Sequence, residues 1–266
     1  NSGDAYSHYR LGVLSALYEP EIAFDELKLA ASLDPQVDSA VQTLFTALAI
    51  SENETDTAKQ KITIGRALGL VQEWHLAQLA FEQAVEIDPV NAEAWAWLGE
   101  AKQQTGQSGS VELDKALSLD HTSVNVRALR GLYWSRLGKY EQMLAEYSLA
   151  ARYEPENTRW QASIGEAHAN LGDLTKALEA YQRAVELAPE DATYWRLLAV
   201  FFAERGAYLE EIGLPAAQHA VTLAPYDPSA LDALGFAYFA SGRFANAEQT
   251  LLSVIETTPD YFPAHI

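Results

Sequence analysis

Between Thr158 and Asp191 the chain carries small, apolar or ring-bearing residues at Ile164, Gly165 and His168, then at Ala177, Tyr181, Ala184 and Leu187. Apart from the adjacent pair Ile164-Gly165, the steps within each group are three or four, the period of an amphipathic helix. Two helices are therefore predicted. Asn170-Leu171-Gly172-Asp173 interrupts the pattern, and Gly172 supplies a residue that enters the left-handed conformation closing a helix. Pro189 ends the second helix, since it has no amide to donate and disfavours helical backbone at Ala188 before it. Ala177 and Ala184 suit a close approach of two backbones, and Tyr181 fills the layer between them. The unit is a helical hairpin of 34 residues.

The same spacing runs along the chain. Pro35, Pro89, Pro155, Pro189, Pro225 and Pro259 each follow a predicted helix, and the last four stand 34, 36 and 34 residues apart. Leucine or isoleucine followed by glycine marks a first helix at Leu11-Gly12, Ile64-Gly65, Leu98-Gly99, Ile164-Gly165 and Leu234-Gly235. Residues 92–123 run two residues short, with His121 where proline is expected, so their second helix should start late. Residues 192–227 have two extra residues within Ala207–Pro215, expected to lengthen a turn.

This pattern resembles the tetratricopeptide repeat, which runs W-x2-L-G-x2-Y, then A-x3-F, then P over 34 residues. The resemblance implies an all-α fold, a right-handed α-α superhelical solenoid of helical hairpins. Residues 1–57 then form a degenerate N-terminal hairpin plus one unpaired helix. Residues 58–261 form six repeats, at 58–91, 92–123, 124–157, 158–191, 192–227 and 228–261, and residues 262–266 are the stub of a further repeat. Arg127 and Arg130 depart from the pattern, standing where it has the Trp and the Leu. Local ion pairing with Glu112 and Asp114 is the expectation for them, with a lateral binding notch as the alternative.

Composition changes the picture at three points. The 266 residues include no cysteine, which removes disulfides and cysteine metal sites. The formal charge of −19 argues against nucleic acid, whose binding needs a basic stripe. No apolar run reaches the roughly 18 residues that span a bilayer, so no membrane insertion is expected. Ten of the 18 basic residues fall in 92–191. The chain begins at Asn1 without an initiator Met and ends at Ile266 inside what reads as a new helix, which predicts a piece excised from a longer protein. The compartment stays open, with a slight lean to an exported or surface-anchored protein.

The six histidines, His8, His75, His121, His168, His219 and His265, include no pair spaced i, i+4 for zinc. With no phosphate loop and no nucleophile elbow either, the sequence predicts a nonenzymatic protein with no cofactor and no metal.

The resemblance also implies that the first helices of successive repeats line a concave groove for an extended or helical peptide. By offset, the groove includes Glu93, Ala96, Trp97, Glu100, Gln103, Asn125, Ala128, Leu132, Arg136, Arg159, Ala162, Glu166, Asn170, Arg196, Val200, Asp232, Phe236 and Phe239. Ala96, Ala128 and Ala162 would let a backbone approach. Arg136, Arg159 and Arg196 could hold carboxylates in bidentate geometry. Phe236 and Phe239, with Val200, would offer apolar pockets. The alternative has the Arg residues paired with Glu100, Glu166 and Glu204 and the Phe rings closing the superhelix.

The expected function is a noncatalytic scaffold binding a protein or peptide segment of acidic and apolar character. Two alternatives stand beside it. One is a regulatory or targeting segment of a larger enzyme or envelope assembly, and the other is self-association through an uncapped C-terminal repeat.

Overall fold

The computed structural model describes residues 4–206, 208–258 and 261, and among these every regular element is helical. The helices are α1 (Ala5–Ser15), α2 (Pro20–Leu33), α3 (Asp38–Glu52), α4 (Thr57–Leu70), α5 (Trp74–Ile87), α6 (Ala92–Gln104), α7 (Ser110–Leu119) and α8 (Val124–Arg136). They continue as α9 (Tyr140–Tyr153), α10 (Thr158–Asn170), α11 (Leu174–Leu187), α12 (Ala192–Arg205), α13 (Leu214–Leu223), α14 (Pro228–Ala240) and α15 (Phe244–Thr257). The chain divides into two compact units, residues 1–137 and 138–266. Pro259 and the stub at 262–266 lie outside the described residues.

Each unit is a stack of antiparallel hairpins, the all-α solenoid class. In unit 1, α1 pairs with α2, α4 with α5 and α6 with α7; in unit 2, α10 pairs with α11, α12 with α13 and α14 with α15. Consecutive hairpins also touch through their first helices, α6 on α8 in unit 1 and α12 on α14 in unit 2. The additional helix α3 lies against α4 and α2, with Phe45 stacked on Phe24 at 5.2 Å between ring centres.

Local chemistry explains the helix starts. From α4 onward every first helix has a side-chain cap: Asp56, Asn91, Ser123, Asn157, Asp191 and Asp227 each accept a backbone N–H from the first turn. Of the second helices that follow them, only α11 has one, from Asp173. Gly172, at φ +80°, lets the amide of Asp173 reach back to the carbonyl of His168 at 2.9 Å. Gln72 takes the same left-handed conformation, φ +64°, without being glycine.

The hairpins close on a glycine floor. A Cβ on Gly165 would lie 3.1 Å from the Tyr181 ring, and one on Gly65 would lie 2.6 Å from Phe81. Phe81 is fully buried and stacks on Trp97 at 6.0 Å.

A second recurring contact ties three of the first helices, α6, α8 and α12, to the turn before them. The indole N–H of Trp95 donates to the carbonyl of Pro89 at 2.9 Å, and that of Trp195 to the carbonyl of Pro189 at 2.7 Å. Where the sequence has Arg127 and His121 instead, the guanidinium of Arg127 donates to the carbonyl of His121 across the same six-residue offset. The two departures from the repeat pattern thus match each other. Arg130 pairs with Asp114, while Glu112 pairs with Lys102 at 2.6 Å.

The shortened α7, with ten residues against 14 in α5, starts at Gly109 pressed on Gly99 of α6. In 192–227 the extra length forms a π-helical turn, Leu209–Gly213, that runs directly into α13.

Candidate functional site

The first helices present different surfaces in the two units. In unit 1, α6 aligns Glu93, Trp97, Glu100 and Gln103 along one side, as steps of three and four require. The Arg66 guanidinium sits 5.2 Å from the Trp97 ring centre and 3.7 Å from Glu93, whose Oε1 accepts the Trp97 indole N–H at 3.3 Å. Glu100 is only 4% exposed. It receives both terminal nitrogens of Arg136, at 2.7 and 2.6 Å, and the Gln104 amide at 2.9 Å; Arg136 also donates to Gln103.

These groups satisfy one another, and the Arg136 of the sequence reading is held by a carboxylate of its own chain. Ala96 is fully buried beside Leu113, Val126 and Leu129, so it sets the spacing of α6 and α8 and offers no surface. Ala128 and Leu132 are half-buried and Asn125 is exposed.

Removing Arg136 leaves a buried carboxylate without its cation, a larger loss than the pair's own net worth. Arg136→Ala is expected to lower unit 1 stability by about 2 kcal/mol, less than a fully buried pair because the guanidinium is partly exposed. Urea unfolding would read it, and adding Glu100→Gln should recover part of the loss.

Unit 2 presents α10, α12 and α14. Its ion pairs include those of Lys176, Arg183, Arg205 and Arg243, and among the described residues Arg159 and Arg196 are not engaged in one. Arg159 is exposed and Arg196 half-buried. Desolvation pushes the carboxyl of Asp232 above its ordinary range, with the charge of Arg196 acting the other way. Glu166 is pushed up by desolvation as well, although much of the residue stays open to water. Asn170 donates to the Glu166 carbonyl at 2.9 Å.

Apolar surface accompanies these charges. Ala162, Val200 and Phe236 are half-buried, and Phe239 is 58% exposed with its ring 5.6 Å from that of Phe244, itself 62% exposed. The offset rule placed Phe239 on this face and passed over Phe244, which lies on a second helix. Its signal was an apolar residue directly after the turn at Gly242-Arg243.

Capped first helices, glycine-floored hairpins and open first-helix faces define a helical-repeat interaction scaffold. The tetratricopeptide repeat family model matches residues 129–192 and 164–228. Residues 129–228 thus carry tetratricopeptide repeats, and the chain has the fold of that family, whose members bind protein or peptide partners and are typically noncatalytic.

Among curated proteins it is similar to Superkiller complex protein 3 of Mus musculus, 29% identical over 113 residues, covering 36% of this chain and 7% of that protein. It is also similar to Tetratricopeptide repeat protein 37 of Xenopus laevis, 27% identical over 146 residues, covering 51% of this chain and 9% of the relative. The chain thus spans less than a tenth of the length of either.

Among solved structures it shares its fold with PilW, a type IV pilus biogenesis factor, at TM-score 0.67 and 17% identity over 80% of this chain and 98% of that one. Pseudomonas aeruginosa PilF gives TM-score 0.62 at 17% identity, over 79% of this chain and 95% of that one. No described helix is long and apolar enough to cross a membrane.

Proposed function

We propose that the chain is a noncatalytic protein-binding scaffold whose working surface includes the face of α10, α12 and α14, and that this face takes a peptide segment of acidic and apolar character. The observation that carries the reading is the pairing state of the arginines. Arg136 in unit 1 is satisfied internally, whereas Arg159 and Arg196 are not engaged in an ion pair among the described residues. A guanidinium held this way suits a partner carboxylate, which it can grip with two parallel N–H donors. Val200, Phe236 and Phe239 on the same helices give apolar side chains a place to bury.

Fluorescence anisotropy with labelled twelve-residue peptides tests this. Peptides alternating Leu or Phe with Asp or Glu should bind in preference to counterparts carrying Lys, and more weakly as salt rises. Arg159→Glu with Arg196→Glu should weaken binding at least about tenfold, the scale of losing one charge-assisted contact. Equal binding by the double variant, or no preference for acidic peptides, would refute the assignment.

The pH dependence has a defined sign. Glu166 and Asp232, raised by burial, take up protons before ordinary carboxylates as pH falls from neutrality. The face then grows more positive, so affinity for an acidic peptide should rise until the peptide's own carboxylates protonate. The same two groups oppose folding at neutral pH, because the native state binds their protons more tightly than the unfolded chain does, and that opposition fades as pH drops through their raised values. Sedimentation over a concentration series provides a separate check. Mass rising with concentration would assign the exposed Phe239 and Phe244 rings to contact between copies.

A further inference from the structure

The π-helical turn Leu209–Gly213 borders a cavity. Ile212 and Gly213 both donate their amides to the carbonyl of Tyr208, at 2.9 and 3.2 Å, which widens the turn and delays the start of α13. Gly213 permits it, since a Cβ there would lie 2.9 Å from Phe202 Cβ. The space left between the start of α11, the end of α12 and this turn is a cavity of about 280 Å³. Its apolar wall is Leu174, Leu178, Phe201, Phe202 and Ile212, and among the described residues Arg205 is the one cation lining it.

Three observations mark it as a place for a ligand. The volume lies at the lower edge of the range for small-molecule sites, so it fits one leucine- or phenylalanine-sized side chain. Tyr208, on its rim, is held at φ +51°, a left-handed conformation rare for a bulky side chain, with its ring 6.2 Å from Phe202 yet 65% exposed. Arg205 stacks over Phe201 at 5.6 Å, and its polar contacts among the described residues are to its exposed sequence neighbour Glu204, at 3.3 Å, and to the carbonyl of Ala169, at 3.4 Å. Both contacts are weak enough for an incoming carboxylate to replace them.

We propose that this cavity is a second docking site, in which a partner protein segment inserts one Leu or Phe side chain while an adjacent Asp or Glu pairs with Arg205. The site uses the end of α12 and the inserted turn, and none of the groove positions Arg159, Arg196, Phe236 or Phe239. It therefore stands or falls apart from the groove reading.

Methyl-resolved NMR of the whole chain, with the capped tetrapeptides Ser-Leu-Glu-Ser, Ser-Ala-Glu-Ser and Ser-Leu-Gln-Ser as probes, tests it. The Leu-Glu peptide should shift the methyl signals of Leu174, Leu178 and Ile212 in a saturable way. The Ala-Glu peptide should leave them in place, and the Leu-Gln peptide should bind about fivefold more weakly. Thr175→Phe places a ring in the mouth from an exposed position and should abolish the shifts with the circular dichroism unchanged. Arg205→Gln should remove the preference for Glu over Gln. Arg159→Glu with Arg196→Glu should keep the shifts intact. No saturable shift at these methyls, or equal shifts in Thr175→Phe, would overturn the proposal.

Discussion

Phe81→Ala should cost about 4 kcal/mol of unit 1 stability, in line with emptying a fully packed aromatic site. Phe81 has no exposed surface, lies over Gly65 close enough that a Cβ there would reach its ring at 2.6 Å, and stacks on Trp97. Glycine gives the ring its seat, so truncation leaves a cavity that the surrounding helices cannot collapse into without breaking the α4–α5 pairing. The loss should appear in a urea titration followed by circular dichroism, with a blunted change in tryptophan fluorescence as Trp97 loses its stacking partner. A loss below about 1.5 kcal/mol would mean that the site repacks and that the hairpin is less tightly built than its geometry indicates.

Gly109→Ala is expected to cost about 3 kcal/mol, unusually large for one added methyl. The added Cβ would lie 1.9 Å from the carbonyl oxygen of Gly99 and 2.9 Å from its Cα, and both are backbone atoms that no rotamer change can move. α6 and α7 must separate. Gly99→Ala meets the Leu113 side chain at 2.8 Å as well as the Gly109 carbonyl at 2.9 Å, so part of its clash falls on a group that can rotate and it should cost less. The order of the two variants in thermal unfolding is the informative result. Equal midpoints would show that the short α7 slides freely on α6.

Much of this architecture was legible in the residue pattern, and the reasons are local. The turn at Gly172, the helix end before Pro189 and the small residues Ala177 and Ala184 against Tyr181 are choices that only a tight hairpin requires. The candidate surface was less legible, because offset says which side a residue faces and not what meets it. Glu100 sits at a groove offset, yet it is buried under Arg136 from the next first helix, a contact 36 residues away in sequence. Ala96 shares the offset of Ala128 and Ala162 and is the one fully buried, because α8 closes over it. The cavity beside Arg205 gave no periodic signal at all. Two extra residues read as a longer loop, and whether a chain absorbs them in a loop or in a widened helical turn depends on the packing of Phe202, Leu209 and Gly213.

The contact from a first-helix side chain to the carbonyl six residues earlier is made by Trp95, by Trp195 and by Arg127. Such a fastening asks its owner for a hydrogen to give and is indifferent to whether an indole or a guanidinium gives it. A seam of this kind can drift from greasy to cationic over evolutionary time without coming undone, so array proteins built on it can retint their flanks for new company while the stacking underneath stays as it was.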